Sequence, residues 1–386
     1  MCNLVTSASQ SAPCGPTKVG FVLVSNEDRP QPSTRIAVLS LFPRLREAGF
    51  EPIVVHQPPS EAPVPELPDF ADALADAGFR AVVFQKVSGD SVVAQIRRLR
   101  QRGVRTIFSV CDFVIEPMVR ATDATITVTE YLRSLHPPDL LSRVHVVHDG
   151  IEREDVFKQA WQPGTGGRTR PLRAVLVTSS RPSQLPSMGD VPPWLRVNIV
   201  GSYPSRTRPL QRLRELRWAM ARQTPGERLQ HLRFLLNRRL ERTPWDPAVV
   251  YRELLAADIG VIPIEQASAP DASAPDAPWR VKSENRLTLK MAAALPVVAS
   301  PIPAYERVVE HGVNGFLARS HADWQRCLRA LRDPDLRREM GQRARASVLP
   351  RFSQAEQARR FVAVLRDLLC DRPCTTRSAQ LAAAGD

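Results

Sequence analysis

Short apolar runs and helix-period stretches take turns along this chain. Val19–Val24 (VGFVLV) is an uninterrupted apolar run and reads as a buried strand. A polar loop, Ser25–Ser33, follows, and then a helical pattern from Ile36 to Ala48 that Gly49 ends. Pro52–Val55 is the next strand, followed by the strand Ala81–Phe84, the helix Ser91–Arg102 with Gly103 as its stop, and the strand Thr106–Val110. Thr125–Val128 and Val144–Val147 add two apolar segments on either side of helix-like Glu130–Leu135. Strands alternating with helices at this spacing predict an α/β fold, a parallel sheet covered by helices on both faces. Such sheets bind ligands beyond the carboxyl ends of their strands. That rule singles out the loops after Val24, Phe84 and Val110.

Residues 159–171 (QAWQPGTGGRTRP) are rich in Gly, Pro and Thr and read as a linker. A second alternation begins beyond it. Strands are expected at Ala174–Thr178, Val197–Val200, Ile259–Ile264 and Pro296–Ser300, and helices at Val249–Ala257, Arg286–Ala294, Ala322–Arg332 and Leu336–Ser347. The last segment, Gln354–Leu369, is amphipathic. Two features interrupt this half. In residues 204–243, Leu213, Leu216 and Met220, then Leu229, Leu232, Leu236 and Leu240, recur at helical spacing, which predicts a helical insertion. Residues 268–277 repeat SAPDA twice, a composition that packs no core and suits either a flexible flap or a drifting surface loop.

At 386 residues the chain has room for two domains with real cores. No apolar run approaches the ~20 residues of a membrane-spanning helix, and the N-terminus has neither the basic start nor the apolar stretch of a secretory signal. A cytoplasmic location is the expectation. The six cysteines, at 2, 14, 111, 327, 370 and 374, form no metal-ligand spacing, so reduced thiols and no metal are expected. Met1 removal would expose Cys2 as an N-terminal nucleophile, but nothing after it supports that chemistry. The net charge of +13 is concentrated, since residues 204–243 hold 11 Arg against 3 Glu.

The most informative stretch is Lys282–Ala318 (KSENRLTLKMAAALPVVASPIPAYERVVEHGVNGFLA). It resembles the donor-binding half of family 4-like glycosyltransferases of the GT-B architecture. Those enzymes carry a helix beginning at the donor site, a small-x-Pro-Val-Val strand and a Gly-x-x-Gly-Phe turn, matched here by Arg286–Ala294, Ala294–Val298 and Gly312–Phe316. Trp245–Pro263, Pro32–Gly49, Val83–Lys86 and His148–Ile151 are also similar to family sequence. The resemblance implies two Rossmann-like domains facing a cleft, with the last helix returning to the first domain. The expected organisation is a disordered start at 1–17, an acceptor domain at 18–158, the linker 159–171 and a donor domain at 172–353 carrying the basic insertion 204–243. A C-terminal helix at 354–370 and a disordered tail at 371–386 complete it. The chain departs from the pattern in one respect. The family's two glutamates, eight positions apart, fall on Val281 and Leu289. Their aliphatic side chains cannot accept the ribose hydrogen bonds, so donor binding must rest more on the diphosphate or be lost. Some similar proteins carry Lys-Ser-x-Asn-Arg, which this chain matches at Lys282, Ser283, Asn285 and Arg286.

A nucleotide-diphosphate sugar leaves behind a diphosphate, which cations and helix N-termini stabilise. Lys282 and Arg286 are the candidate phosphate ligands, with Ser283 and Asn285 capping the helix or touching the donor sugar. Arg181 stands where the family carries another diphosphate-binding cation. Ser33, Thr34 and Arg35 should face the acceptor, and Lys86 and Asp112 are the candidate catalytic pair. Asp112 could bind or deprotonate a hydroxyl, or simply cap the next segment. The resemblance implies transfer to an acceptor hydroxyl with retention, the leaving phosphate taking the proton. His56, His148 and His311 read as structural, and His148-Asp149-Gly150 as the interdomain turn. Lys290 points at the nucleotide or lies on a solvated face. The basic stretch 204–243 could dock on an anionic membrane, recruit an anionic partner or cover its own domain; nucleic acid is disfavoured because no aromatic pattern accompanies the arginines. The missing glutamates motivate an alternative, a catalytically silent GT-B protein acting as a binding partner or scaffold.

Overall fold

The computed structural model describes residues 15–59, 67–167, 169–178, 190–201, 225–264 and 274–370. Arg181, most of the SAPDA repeats and residues 204–224 of the basic stretch lie outside them. Six parallel strands form the first sheet: β1 (Thr17–Val22), β2 (Phe50–His56), β3 (Ala81–Gln85), β4 (Arg105–Val110), β5 (Ala124–Thr127) and β6 (Val144–Val146), in the order β2-β1-β3-β4-β5-β6. A second parallel sheet holds β7 (Leu172–Thr178), β8 (Leu195–Gly201), β9 (Leu240–Pro244), β10 (Ile259–Ile262), β11 (Val297–Ala299) and β12 (Phe316–Leu317), in the order β12-β11-β10-β7-β8-β9.

Both faces of each sheet are covered, which is why the strands read as apolar runs rather than alternations. On the first sheet, Val19, Phe21, Ile107 and Ile126 pack against Phe42 and Leu45 on one face. Val22, Phe84 and Phe108 pack on the other against Ile96, Leu99 and Met118. Phe361, Val362 and Leu365 of the helix Gln354–Cys370 complete the first of these cores, so the last helix does return to the N-terminal domain.

Two elements differ from the sequence reading. The expected helix Ile36–Ala48 is broken into Pro32–Ala37, a 3₁₀ turn at Leu39–Leu41, and Phe42–Glu47. Pro43 causes the break, because it lacks an N–H and its ring excludes a continuous helix four residues back. The leucine period that ran to Leu240 ends earlier, with a helix at Pro225–Leu236. A turn at Asn237 follows, and Leu240 opens β9, where pairing with β8 satisfies the backbone.

The chain crosses between domains twice, side by side. Ile151 forms a parallel bridge with Ser353, and its N–H donates to the Phe352 carbonyl at 2.9 Å. Gly150 has no room for a side chain, since a Cβ there would lie 2.7 Å from Gln354. The linker is docked on the second domain. Arg337, fully buried, donates to the carbonyls of Gln162 and Gly164 at 2.8 and 2.7 Å. Lys158 reaches the Ala257 carbonyl at 2.7 Å. Among the described residues no helix is long and apolar enough to cross a membrane.

Candidate functional site

The carboxyl ends of both sheets face one cleft, and the site is assembled from their loops. Directly after β3, Lys86 takes a left-handed backbone conformation, φ 57°, held by its N–H donating to the Ser109 carbonyl at 2.9 Å. A non-glycine residue there is strained, a condition common at functional sites. The turn aims Lys86 Nζ at Asp112 Oδ2, 2.7 Å away in the loop after β4. Burial alone would lower the proton affinity of Lys86, but Cys111 and Asp112 outweigh it and hold its pKa above the ordinary value. Burial, with the Asp112 charge adding to it, drives the Cys111 thiol up to about 12, so this cysteine is inert as a nucleophile. The other carboxylate oxygen of Asp112 has no hydrogen-bond partner among the described residues.

The opposite wall is the segment leading into the helix Asn285–Ala292. This helix begins at the cleft because it follows β10 in a parallel sheet, so the positive end of its dipole faces the space between the domains. Lys282 and Arg286 flank its start. Burial and the neighbouring Arg286 charge lower the Lys282 pKa, whereas Asp112 acts on it the other way. The cations of one domain and the Lys86–Asp112 pair of the other therefore share one electrostatic neighbourhood.

Ser283 does not cap the helix. Its hydroxyl donates across the domains to Asp149 Oδ2 at 2.7 Å, and the N-cap position belongs to Glu284, which makes no side-chain cap. Asn285 opens the helix as its first residue and is half-buried. Asp149 is buried in the interdomain turn, and burial, reinforced by the Glu284 charge, raises its pKa to about 6 despite the Ser283 hydrogen bond. His148 donates from Nδ1 to the Val128 carbonyl at 2.9 Å, with Glu284 Oε1 3.5 Å from the same nitrogen. His311 accepts from the Leu317 N–H at 3.1 Å, and burial lowers the pKa of His56.

The acceptor triplet needs correcting. Thr34 is fully buried; its hydroxyl accepts from Ser25 at 2.7 Å and donates to Gln85 Oε1 at 3.0 Å, so it fastens the loop and offers nothing to a ligand. Arg35 forms a two-pronged pair with Glu152, at 2.7 and 3.0 Å, and lies over Trp245 of the second domain at 5.2 Å. Its role in this structure is to tie the domains together. Ser33 remains at the cleft edge, half-buried, in weak contact with Gln85 at 3.5 Å.

Lys290 neither faces the cleft nor lies in solvent. It is fully buried, its Nζ donating to the Arg286 carbonyl at 3.1 Å, and burial followed by the Arg286 charge pulls its pKa down to about 7. Gly260 of β10 makes the room, since a Cβ there would meet the lysine stem at 2.8 Å. Val281 is buried and Leu289 half-buried, so neither position supplies a polar atom to the site. Glu284 and Tyr305 were not singled out from the sequence, and Asp149 was named only as part of the interdomain turn. Tyr305 is fully buried with no partner for its hydroxyl among the described residues, and it lies within electrostatic reach of Arg286 and Glu284. Only the packing of the interdomain turn on the second domain brings Asp149 to Glu284. The one local signal was an acid inside the His-Asp-Gly turn.

Residues 185–363 match the sequence pattern of the family described as Glycosyl transferase-like. No curated protein matches the chain by sequence. Among solved structures, the fold is similar to Alr3699/HepE of Anabaena, crystallised with UDP and glucose, with a TM-score of 0.62 at 13% identity, covering 91% of this chain and 100% of that one. A glycosyltransferase from Rickettsia africae superposes with a TM-score of 0.62 at 10% identity, over 93% of this chain and 100% of that one. Sucrose-phosphate synthase from Thermosynechococcus elongatus gives 0.60 at 14% identity, over 92% and 100%. At such identities the likeness establishes the fold, two parallel-sheet domains of the GT-B type.

Proposed function

We propose that this protein, whose two domains have the GT-B fold, is a glycosyltransferase that moves a sugar from a nucleoside-diphosphate donor to an acceptor hydroxyl with retention. The observation that carries the reading is the meeting, across one cleft, of Lys282 and Arg286 at a helix N-terminus with the Lys86–Asp112 pair. Lys282, depleted of proton affinity by burial and by Arg286, is poised to gain an anion. A diphosphate between the two cations, at the positive end of the helix dipole, would restore its charge balance. Without glutamates at 281 and 289, the diphosphate supplies most of the donor's anchorage. The Anabaena neighbour's complex with UDP makes that nucleotide the first to try.

In the reaction, the bond between the anomeric carbon and the phosphate oxygen breaks as the acceptor oxygen bonds to that carbon from the same face. The acceptor's proton passes to the departing phosphate. Lys86 stabilises the negative charge that grows there, and Asp112, through its second carboxylate oxygen, accepts a hydrogen bond from a neighbouring hydroxyl of the acceptor and so aims the reacting one. Ser33 lies on the acceptor side, and Ser283 and Asn285 line the donor side.

Thermal unfolding with UDP, GDP, dTDP, ADP and CMP, on wild type and Lys282→Ala, tests this reading. A ligand at 100 times its dissociation constant stabilises by about 2.7 kcal/mol. One diphosphate should raise the melting temperature of the wild type and not of the variant. No response to any nucleotide would turn the assignment to the scaffold alternative that the absent glutamates suggest.

A further inference from the structure

The helix Pro225–Leu236 between β8 and β9 carries apolar residues on two opposite sides. Phe234 is only 5% exposed and packs with Leu195, Val197 and Leu240, and the Arg242 guanidinium lies over its ring at 4.7 Å. Leu229, Leu232 and Leu236 are 52%, 41% and 77% exposed. At about 100° per residue the three leucines fall within about 60° of one another, and their centre is about 180° from Phe234. The inner side thus fixes the helix to the domain, and a leucine stripe faces outward.

Charge says what the stripe meets. On the same wheel Arg228 and Arg233 lie on either side of the leucines, and both are exposed. Arg238 and Arg239 follow at the exposed turn, and residues 225–243 hold five arginines against two glutamates. Arginine stems extend past an apolar contact and leave the guanidinium at the polar boundary. An apolar strip bordered by guanidinium groups complements a surface with acyl chains beneath and negative charge above. We propose that the outer face of the helix Pro225–Leu236 is a docking surface for an anionic lipid bilayer, with Leu229, Leu232 and Leu236 entering the acyl boundary and Arg228 and Arg233 at the headgroups. The contact lies in the plane of the membrane and crosses nothing.

Co-sedimentation of the full chain with phosphatidylcholine vesicles, with and without phosphatidylglycerol, reads the proposal directly. Binding is expected to the anionic vesicles only. Replacing Leu229, Leu232 and Leu236 together by Ser should reduce partitioning about tenfold or more, with melting temperature unchanged because these side chains lie outside the core. Arg233→Glu combined with Arg238→Glu should weaken binding most at low salt, where screening is least. No binding to anionic vesicles overturns the proposal. So does wild-type partitioning by the triple Ser variant, which would reduce the contact to adsorption by overall charge. Sedimentation velocity showing a dimer that the triple variant dissolves would overturn it too, assigning the face to a second copy of the chain.

Discussion

Ser283 Oγ lies 2.7 Å from Asp149 Oδ2, a hydrogen bond that joins the interdomain turn to the segment entering the donor-side helix. It is made to a carboxylate that is buried near a second carboxylate, Glu284. The folded protein therefore holds the Asp149 proton more tightly than the unfolded chain does.

The pH dependence follows from that. With a pKa raised from 3.8 to about 6, Asp149 binds more proton in the folded state across that interval, so its contribution to stability is present below it and lost as pH rises through it. Asp149→Asn keeps an acceptor for Ser283 and removes the charge. Urea unfolding at pH 8 should find the variant more stable than wild type by roughly 1–3 kcal/mol, with the gain shrinking towards pH 4. Equal stabilities at both pH values would show that Asp149 ionises in the folded protein as it does in water.

Lys290 works in the opposite sense. Its pKa falls from 10.5 to about 7, so the unfolded state binds more proton between those values and stability rises with pH across them. Lys290→Met fits a similar volume, loses one hydrogen bond to the Arg286 carbonyl and removes the cost of burying an ammonium group. At pH 6.5 it should gain on the order of 1–3 kcal/mol, and its stability should be flatter than wild type between pH 7 and 10. Denaturant midpoints across that range measure both effects.

For the reaction, Asp112→Asn should lower kcat for glycosyl transfer, or for donor hydrolysis where no acceptor is supplied, by about 10²-fold. The thermal stabilisation by the donor diphosphate should not fall, since Asp112 carries the same sign of charge as the ligand and acts on Lys282 across the cleft. A fall in donor affinity with kcat unchanged would move Asp112 to the donor side.

Among the described glycines, Gly341 leaves the least room for a side chain. A Cβ there would collide with the Ala294 carbonyl oxygen, which is backbone, in a turn that Ala294 completes at φ 59°. Gly341→Ala should cost about 3 kcal/mol or more in thermal unfolding, because the helix Pro334–Phe352 must shift away from the donor-side helix. A loss below about 0.5 kcal/mol would mean that this turn yields easily.

Most strands were legible because burial on both faces left apolar runs, and the donor-side helix was legible from the dense block Lys282–Ala318. Pro43 was visible in the sequence, yet the apolar period around it masked the break it causes. Leu240 was misplaced because a leucine suits either period; its partner strand decides, and that is distant in sequence. Lys282, Arg286, Lys86 and Asp112 do converge. Thr34 and Arg35 do not behave as free ligands, since Gln85, Glu152 and Trp245 become their partners only in three dimensions. The same holds for Lys290, whose burial depends on an absent side chain at Gly260.

The paired crossings at Ile151 and Ser353 limit how the cleft can work. A single connecting strand would let one domain swivel in any direction. Two chains bridged to each other act like the two leaves of a door sharing one pin. Sideways shear and twist would break the Ile151–Phe352 hydrogen bond, and the contact of Gln354 with Gly150, before they moved the domains far. A hinge about the line of those crossings would change the gap between Lys282 and Asp112 while leaving both crossings intact.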